Sequence, residues 1–358
     1  MTERERVKIE GLLPLGRLDP GVRQAEAPLD IARVAEDARR AEELGYDAVL
    51  TAETKDDPFI VLALAAQATR RVQLTTAVAV AFPRSPTITA ASAWTLARLS
   101  NGRFTLGLGS QVKGHIERRF GVRWSAPGPW LHDYVGALRA LWHSWQHGTK
   151  LDYKSEHYTL TLMVPLFAPM PLDNPDIKIE LAAVNPYMCQ VAGEVADGIR
   201  AHPVATPRYL GEVMGPAARK GMAKAGRSGA SFTMCVMPLV ATGRDRAALA
   251  ERVADVRARV AFYASTPTYL AAFETDGHAD TAKQLQGLAR AQRWEEMPSL
   301  VDDAMLDTYA VIGTYDEIAA KLNTRYGGLA THLEFTMPLS TPADADALRA
   351  IIAELKRA

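Results

Sequence analysis

The stretch LDIARVAEDARRAEELGYDAVLTAE, residues 29–53, decides how the chain is read. Ile31, Val34, Ala35, Ala38, Ala41 and Leu44 recur at helical spacing over 29–44, so this segment is a helix with one apolar face. Gly45 stops it, because glycine enters the left-handed conformation that ends a helix without a Cβ clash. Residues 47–52 then form a short buried strand. Another apolar strand, 7–13, ends in Pro14 and Gly16 upstream. The unit is therefore strand, loop, helix, strand, and a crossover long enough to hold a helix makes the two strands parallel.

Working outward, the same rhythm continues. Asp57 and Pro58 open a helix through Ala68, 71–80 is β-rich, Pro86 starts a helix that ends near Asn101-Gly102, and 103–109 returns as strand. The second half reads as strand 177–183, helix 186–196, strand 198–202, helix 206–225, strand 232–241, helix 245–263, strand 332–337 and helix 343–356. About eight strands each followed by a helix is the count that closes a (β/α)8 TIM barrel, with an open doubly wound sheet as the alternative. Two stretches break the repeat, near 151–174 and 263–306, and are expected to be loop insertions in one barrel domain spanning 1–358. The second carries Tyr269, Phe273 and Trp294 and is expected to cover the barrel mouth.

Composition narrows the function. With 358 residues, 48% of them hydrophobic, the chain can bury a sizeable core. Its 41 basic and 41 acidic residues cancel, so no global field draws it to nucleic acid or an anionic membrane, and a small-molecule substrate is the expected partner. Cys189 and Cys235 stand far apart and form no C-x-x-C pair. No apolar run reaches the roughly 18 residues that span a bilayer, and the first ten residues lack a secretory apolar core, so the expected location is cytoplasmic.

Several motifs fail on inspection. Gly107-Leu108-Gly109-Ser110 follows a strand, but the third glycine of G-x-G-x-x-G is Val112. G-x-x-x-x-G-K-[ST] and G-x-S-x-G are absent. His143 and His147 stand four apart, yet Ser144 replaces the glutamate of H-E-x-x-H, so no metal site is expected.

More informative are polar or small residues just after apolar strands, since strand C-termini form the active face of a barrel. Glu53 would point into the mouth there, or else pair with Lys55 or Arg84. Thr76, Ala77 and Val78 are small and apolar at a strand end and suit a flat ring, or are plain core. Gly109, Ser110 and His115 follow the fourth strand. Ala183, Val184, Asn185, Pro186, Tyr187 and Met188 join a strand to a helix start, where amides can hold a phosphate.

At Leu99-Ser100-Asn101-Gly102-Arg103-Phe104-Thr105-Leu106-Gly107-Leu108-Gly109-Ser110 the chain resembles the luciferase-like monooxygenase superfamily. Ala-Glu-Glu-Leu-Gly-Tyr-Asp-Ala-Val (41–49), Ala-Gly-Glu-Val-Ala-Asp-Gly (192–198) and Ala225-Gly226-Arg227 match in the same order. Through Asp57-Pro58-Phe59, Ala81-Phe82-Pro83-Arg84-Ser85-Pro86 and Phe262-Tyr263-Ala264-Ser265-Thr266-Pro267 it looks most like the branch that uses the deazaflavin coenzyme F420. The resemblance implies a homodimeric (β/α)8 barrel and hydride transfer between the deazaflavin C5 and an organic substrate, the alternative being an FMN-dependent monooxygenase fed with separately reduced flavin. It also implies a cis peptide at Ala77–Val78 behind the ring, Glu53 and His115 as catalytic, proton-handling groups beside it, and phosphate binding by residues 184–188. The match departs at Val112, where sugar-phosphate dehydrogenases carry glutamate, and at Thr54, where their catalytic histidine stands.

Overall fold

The computed structural model describes residues 6–16, 30–229 and 231–357. Its strands are β1 (Lys8–Leu12), β2 (Ala48–Thr51), β3 (Gln73–Thr76), β4 (Ala79–Val80), β5 (Phe104–Gly109), β6 (Tyr153–Lys154), β7 (Thr159–Leu160), β8 (Lys178–Ala183), β9 (Gly198–Ala201), β10 (Thr233–Val236), β11 (Leu239–Gly243), β12 (Ala310–Thr314) and β13 (His332–Glu334). The parallel ladder runs β3-β2-β1-β13-β10-β9-β8-β5-β4, and β3 also pairs with β5, which closes it. β3 and β4 are two pieces of one stave, parted at the Ala77–Val78 peptide, which is cis. Eight staves with helices outside make a (β/α)8 barrel.

Local chemistry explains the unit read first from the sequence. Of the expected helix 29–44, Leu29 lies outside the described residues, a 3-10 turn runs Ile31–Arg33, and the α-helix runs Val34–Leu44, with Val34, Ala38, Ala41 and Leu44 buried. Gly45 ends it at φ 97°. Asp57 accepts from the Phe59 amide and caps the helix Pro58–Ala68. Gly107 is obligatory: a Cβ there would lie 1.9 Å from the Thr76 carbonyl oxygen, so only glycine lets β3 and β5 meet at this point.

The barrel interior holds charge that the sequence reading did not single out. Arg200 on β9 donates to Glu10 on β1 at 2.5 Å and to Glu180 on β8 at 2.7 Å. Because β10 and β13 separate β9 from β1 in the ladder, the first bond crosses the interior. Cys235 and Thr233 add hydrogen bonds to Glu180 at 3.2 and 2.9 Å. Burial opposes ionisation of Glu180, but the attraction and hydrogen bonds of Arg200 outweigh it and hold the carboxyl below its ordinary range.

Two expectations change. The strand expected over 232–241 is two strands: β10 stays in the barrel, while β11, beyond Met237-Pro238, pairs with β12 in a separate parallel two-stranded sheet. Proline has no amide to donate to a ladder, which explains the break. The departure from the plain repeat thus begins before residue 263. It carries the long helix Arg246–Ala264, the short pieces Pro267–Tyr269, Leu270–Thr275, Ala279–Arg290, Trp294–Leu300 and Asp303–Tyr309, and then β12. The earlier insertion is the hairpin β6–β7 followed by a 3-10 turn at Pro165–Phe167.

Candidate active site

The C-terminal ends of neighbouring staves carry very small side chains. Ala77 follows β3 and Gly109 ends β5, and on β8 Ala182 faces the interior two residues after Glu180, while Ala183 and Ala201 turn outward into the buried core. Val78 packs over Gly109, where a Cβ would stand 2.7 Å from its Cγ2 and 3.6 Å from the Ala182 Cβ. The result is a smooth floor of backbone and methyl groups at the barrel mouth.

Glu53, directly beyond β2, is tied to this floor. Its Oε2 accepts from the Val80 amide at 2.7 Å and from Arg84 Nη1 at 2.6 Å, while its own amide donates to Val78 O at 3.3 Å. Arg84 also donates to Asp57 at 3.0 Å. Burial works against the Arg84 charge, but its hydrogen bonds and attraction to Glu53 and Asp57 prevail and raise its pKa above the ordinary value. Of the two readings of Glu53, the structure shows the ion pair with Arg84. Its carboxylate holds the segment 78–84 in place.

The other expected residues divide. The Thr76 hydroxyl is fully buried and exchanges hydrogen bonds with Gly107, accepting from its amide at 2.9 Å and donating to its carbonyl at 2.7 Å, so it offers no side-chain contact to a ligand. Ser110 is half-buried at the end of β5. His115 does not join the cluster: it stands exposed on the short helix Lys113–Arg118, and its ring makes no hydrogen bond among the described residues. Asn185 caps the helix Pro186–Val195, its Oδ1 accepting from the Met188 amide at 2.8 Å. Since Pro186 has no N–H and that of Met188 is already satisfied, Tyr187 supplies the free amide of the first turn. Asn185, Pro186 and Tyr187 are exposed, Val184 accepts from Tyr209 Oη at 2.9 Å, and Met188 is buried.

A histidine missed in the sequence stands at the same face. His202 follows β9 and lies against Tyr269 at 4.2 Å and edge-on to Tyr263 at 4.7 Å between ring centroids. Its deep setting pushes its pKa down to about 3, so the ring is neutral. Its only signal in the sequence is its place at the end of the strand expected over 198–202. Tyr269 thus reaches the mouth as expected of the later insertion. Phe273 does not: it is completely buried against Tyr309, at 4.5 Å between ring centroids, as part of the insertion's own core. Trp294 packs near Phe262 at 6.4 Å. Among the described residues, no group of three or more His, Cys, Asp or Glu side chains is placed to hold a metal ion, and no helix is long and apolar enough to cross a membrane.

A family model of luciferase-like monooxygenases matches residues 11–332. The chain belongs to the luciferase-like monooxygenase family. Within it, the chain is 41% identical over 330 residues to an uncharacterized protein of Mycobacterium tuberculosis, covering 92% of this chain and 96% of that one. A second Mycobacterium tuberculosis protein, named as a candidate coenzyme F420-dependent oxidoreductase, is 29% identical over 80% of this chain and 86% of its own. The solved coenzyme F420 dependent tetrahydromethanopterin reductase of Methanopyrus kandleri superposes with a TM-score of 0.73 at 19% identity, covering 98% of both chains. That last likeness is one of fold. Luciferase-like enzymes and this chain share the barrel, and the mouth described above lies at its active face.

Proposed function

We propose that the protein is an F420-dependent oxidoreductase acting on a small organic substrate. The observation that carries the reading is the row of Ala77, Gly109 and Ala182 facing the interior at the strand ends, whose small side chains leave room for a flat tricyclic ring against backbone. Charge and geometry fit the rest of such a group: the Tyr187 amide at the start of the helix Pro186–Val195 faces outward for a phosphate, with the helix dipole behind it. Ala77, Val78, Gly109 and Ser110 would hold the ring, and the segment 184–188, through the Tyr187 amide, the phosphate. When bound, the deazaflavin supplies hydride chemistry at its C5.

The chain's own contribution is orientation and exclusion of water. Glu53, through Arg84 and the Val80 amide, fixes the segment beside the ring. Tyr263, Tyr269 and neutral His202 form an aromatic wall at the same face, suited to an apolar or planar substrate. In this reading Glu53 positions and does not exchange protons, and exposed His115 is a weaker proton-handling candidate than the sequence implied. The homodimer suggested by the family resemblance belongs to the same proposal.

An FMN-dependent monooxygenase is the second reading, favoured by the family's name. Oxygen uptake separates the two. With reduced FMN supplied, an F420-dependent oxidoreductase should show no protein-dependent oxygen consumption, whereas stoichiometric uptake would favour the monooxygenase.

A further inference from the structure

The hairpin β6–β7 folds against the helix Pro127–His147 and sets His157 between two partners. His157 Nδ1 lies 2.7 Å from Asp133 Oδ2, and Nε2 lies 3.1 Å from Ser125 Oγ. Asp133 also accepts from the His157 amide at 3.2 Å. A carboxylate facing Nδ1 selects the tautomer with its hydrogen there, so Nε2 accepts and the Ser125 hydroxyl donates.

The ring is fixed as well as paired. His157 stacks on Trp130 at 5.8 Å and 14°, and Trp130 stacks on Phe82 at 3.7 Å and 5°. Trp130 Nε1 donates to Tyr158 Oη at 2.7 Å. These groups, with Ser125 and Arg84, line a cavity of about 540 Å³. Arg84 is the partner of Glu53, so the cavity adjoins the barrel mouth at the end of β4. Burial disfavours charge on Asp133, yet hydrogen bonds from the side chain and amide of His157 and from Ser155 outweigh it and keep the carboxyl below its usual range.

Serine, histidine and aspartate in this order serve two chemistries. A nucleophilic serine needs N–H donors for the oxyanion. The helix that starts two residues after Ser125 has Pro127 and Pro129 in its first turn, which removes two of its first three N–H groups. A proton relay needs no such donors.

We propose that Ser125, His157 and Asp133 are the proton relay of the reaction assigned above, serving a substrate whose hydroxyl or carbonyl oxygen is seated in this cavity. The proposal rests on the deazaflavin reading. In the oxidative direction the substrate O–H proton passes to Ser125 Oγ while the serine proton passes to His157 Nε2. The electron pair of the adjacent C–H bond leaves as hydride to the oxidised deazaflavin, and the C=O bond forms. Asp133 pairs with the imidazolium produced. Reduction returns the proton along the same path. The stacked Phe82 and Trp130 favour an oxygen carried on an apolar or planar group.

The first test uses cofactor-free protein with 15N-labelled histidine. The signals lost in His157→Gln should belong to an Nδ1–H tautomer in the parent, and Asp133→Asn should abolish that preference; an Nε2–H tautomer would overturn the relay. The second test titrates F420 fluorescence and follows F420 reduction with a panel of aliphatic and benzylic secondary alcohols, and its reoxidation with the matching ketones. Ser125→Ala and His157→Gln should keep F420 affinity within twofold of the parent and lose about a hundredfold or more in kcat, while Ser125→Thr recovers most of the rate. Unchanged kcat in the alanine and glutamine variants, or F420 binding by the parent with no turnover of any alcohol or ketone, would overturn the relay. A parent that binds no F420 would instead sink the cofactor reading, leaving the tautomer result to stand by itself.

Discussion

Glu53 Oε2 lies 2.6 Å from Arg84 Nη1 and 2.7 Å from the Val80 amide, so one carboxylate binds the end of β2 to β4 and the loop beyond it. If its task is positioning, Glu53→Gln should be mild, because the amide oxygen still accepts from Val80. Glu53→Ala strands both donors and should cost about 1–3 kcal/mol in chemical denaturation, with weaker F420 binding. Equal loss of kcat in both variants at unchanged stability would instead mark Glu53 as a proton carrier.

Arg200 is the counter-charge to two buried carboxylates, Glu10 and Glu180. Arg200→Met leaves both without it and should cost about 3–5 kcal/mol, read from the denaturant midpoint. Adding Glu10→Gln and Glu180→Gln should recover much of the loss. A near-neutral single variant would show that the interior admits water.

For His202 the pH dependence has a definite sign. Its folded pKa, about 3, lies below the ordinary value of 6.5, so between those values the unfolded chain binds the extra proton. His202 therefore costs nothing above pH 6.5 and lowers stability progressively as pH falls toward 3. His202→Gln should flatten this part of the Tm against pH curve, and the parent's His202 ring signals should not titrate down to pH 4.

Asn185 caps the helix Pro186–Val195 through the Met188 amide. Asn185→Ala should cost about 1 kcal/mol of stability and weaken F420 binding only modestly, because the phosphate is assigned to backbone N–H. A loss of binding beyond about tenfold with little change in Tm would show direct recognition by the Asn185 side chain.

The barrel was legible because its period is local: the apolar run 177–183 and the helix signal from Val34 to Leu44 each sit within one element. What escaped needed contacts between elements. Met237-Pro238 divides β10 from β11, but only the pairing of β11 with β12 shows that the second piece leaves the barrel. Glu53 could be placed at a strand end, whereas its ion pair with Arg84 came from the fold of the loop after β4. Glu10, Glu180 and Arg200 lie inside short apolar strands and were not singled out, because their pairing runs across the barrel between strands far apart in sequence. Ser125, Asp133 and His157 carry no local signature, because the hairpin that unites them brings together residues up to 32 positions apart.

If the mouth beside Ala77, Gly109 and Ala182 is a deazaflavin site, it should select F420 over other redox cofactors. The most direct measurement is equilibrium binding of oxidised F420, FMN and NADPH to the purified chain, followed by fluorescence quenching under one set of conditions. F420 should bind saturably, one per chain, at least about tenfold tighter than FMN. Tight binding of FMN with no saturable binding of F420 would contradict it.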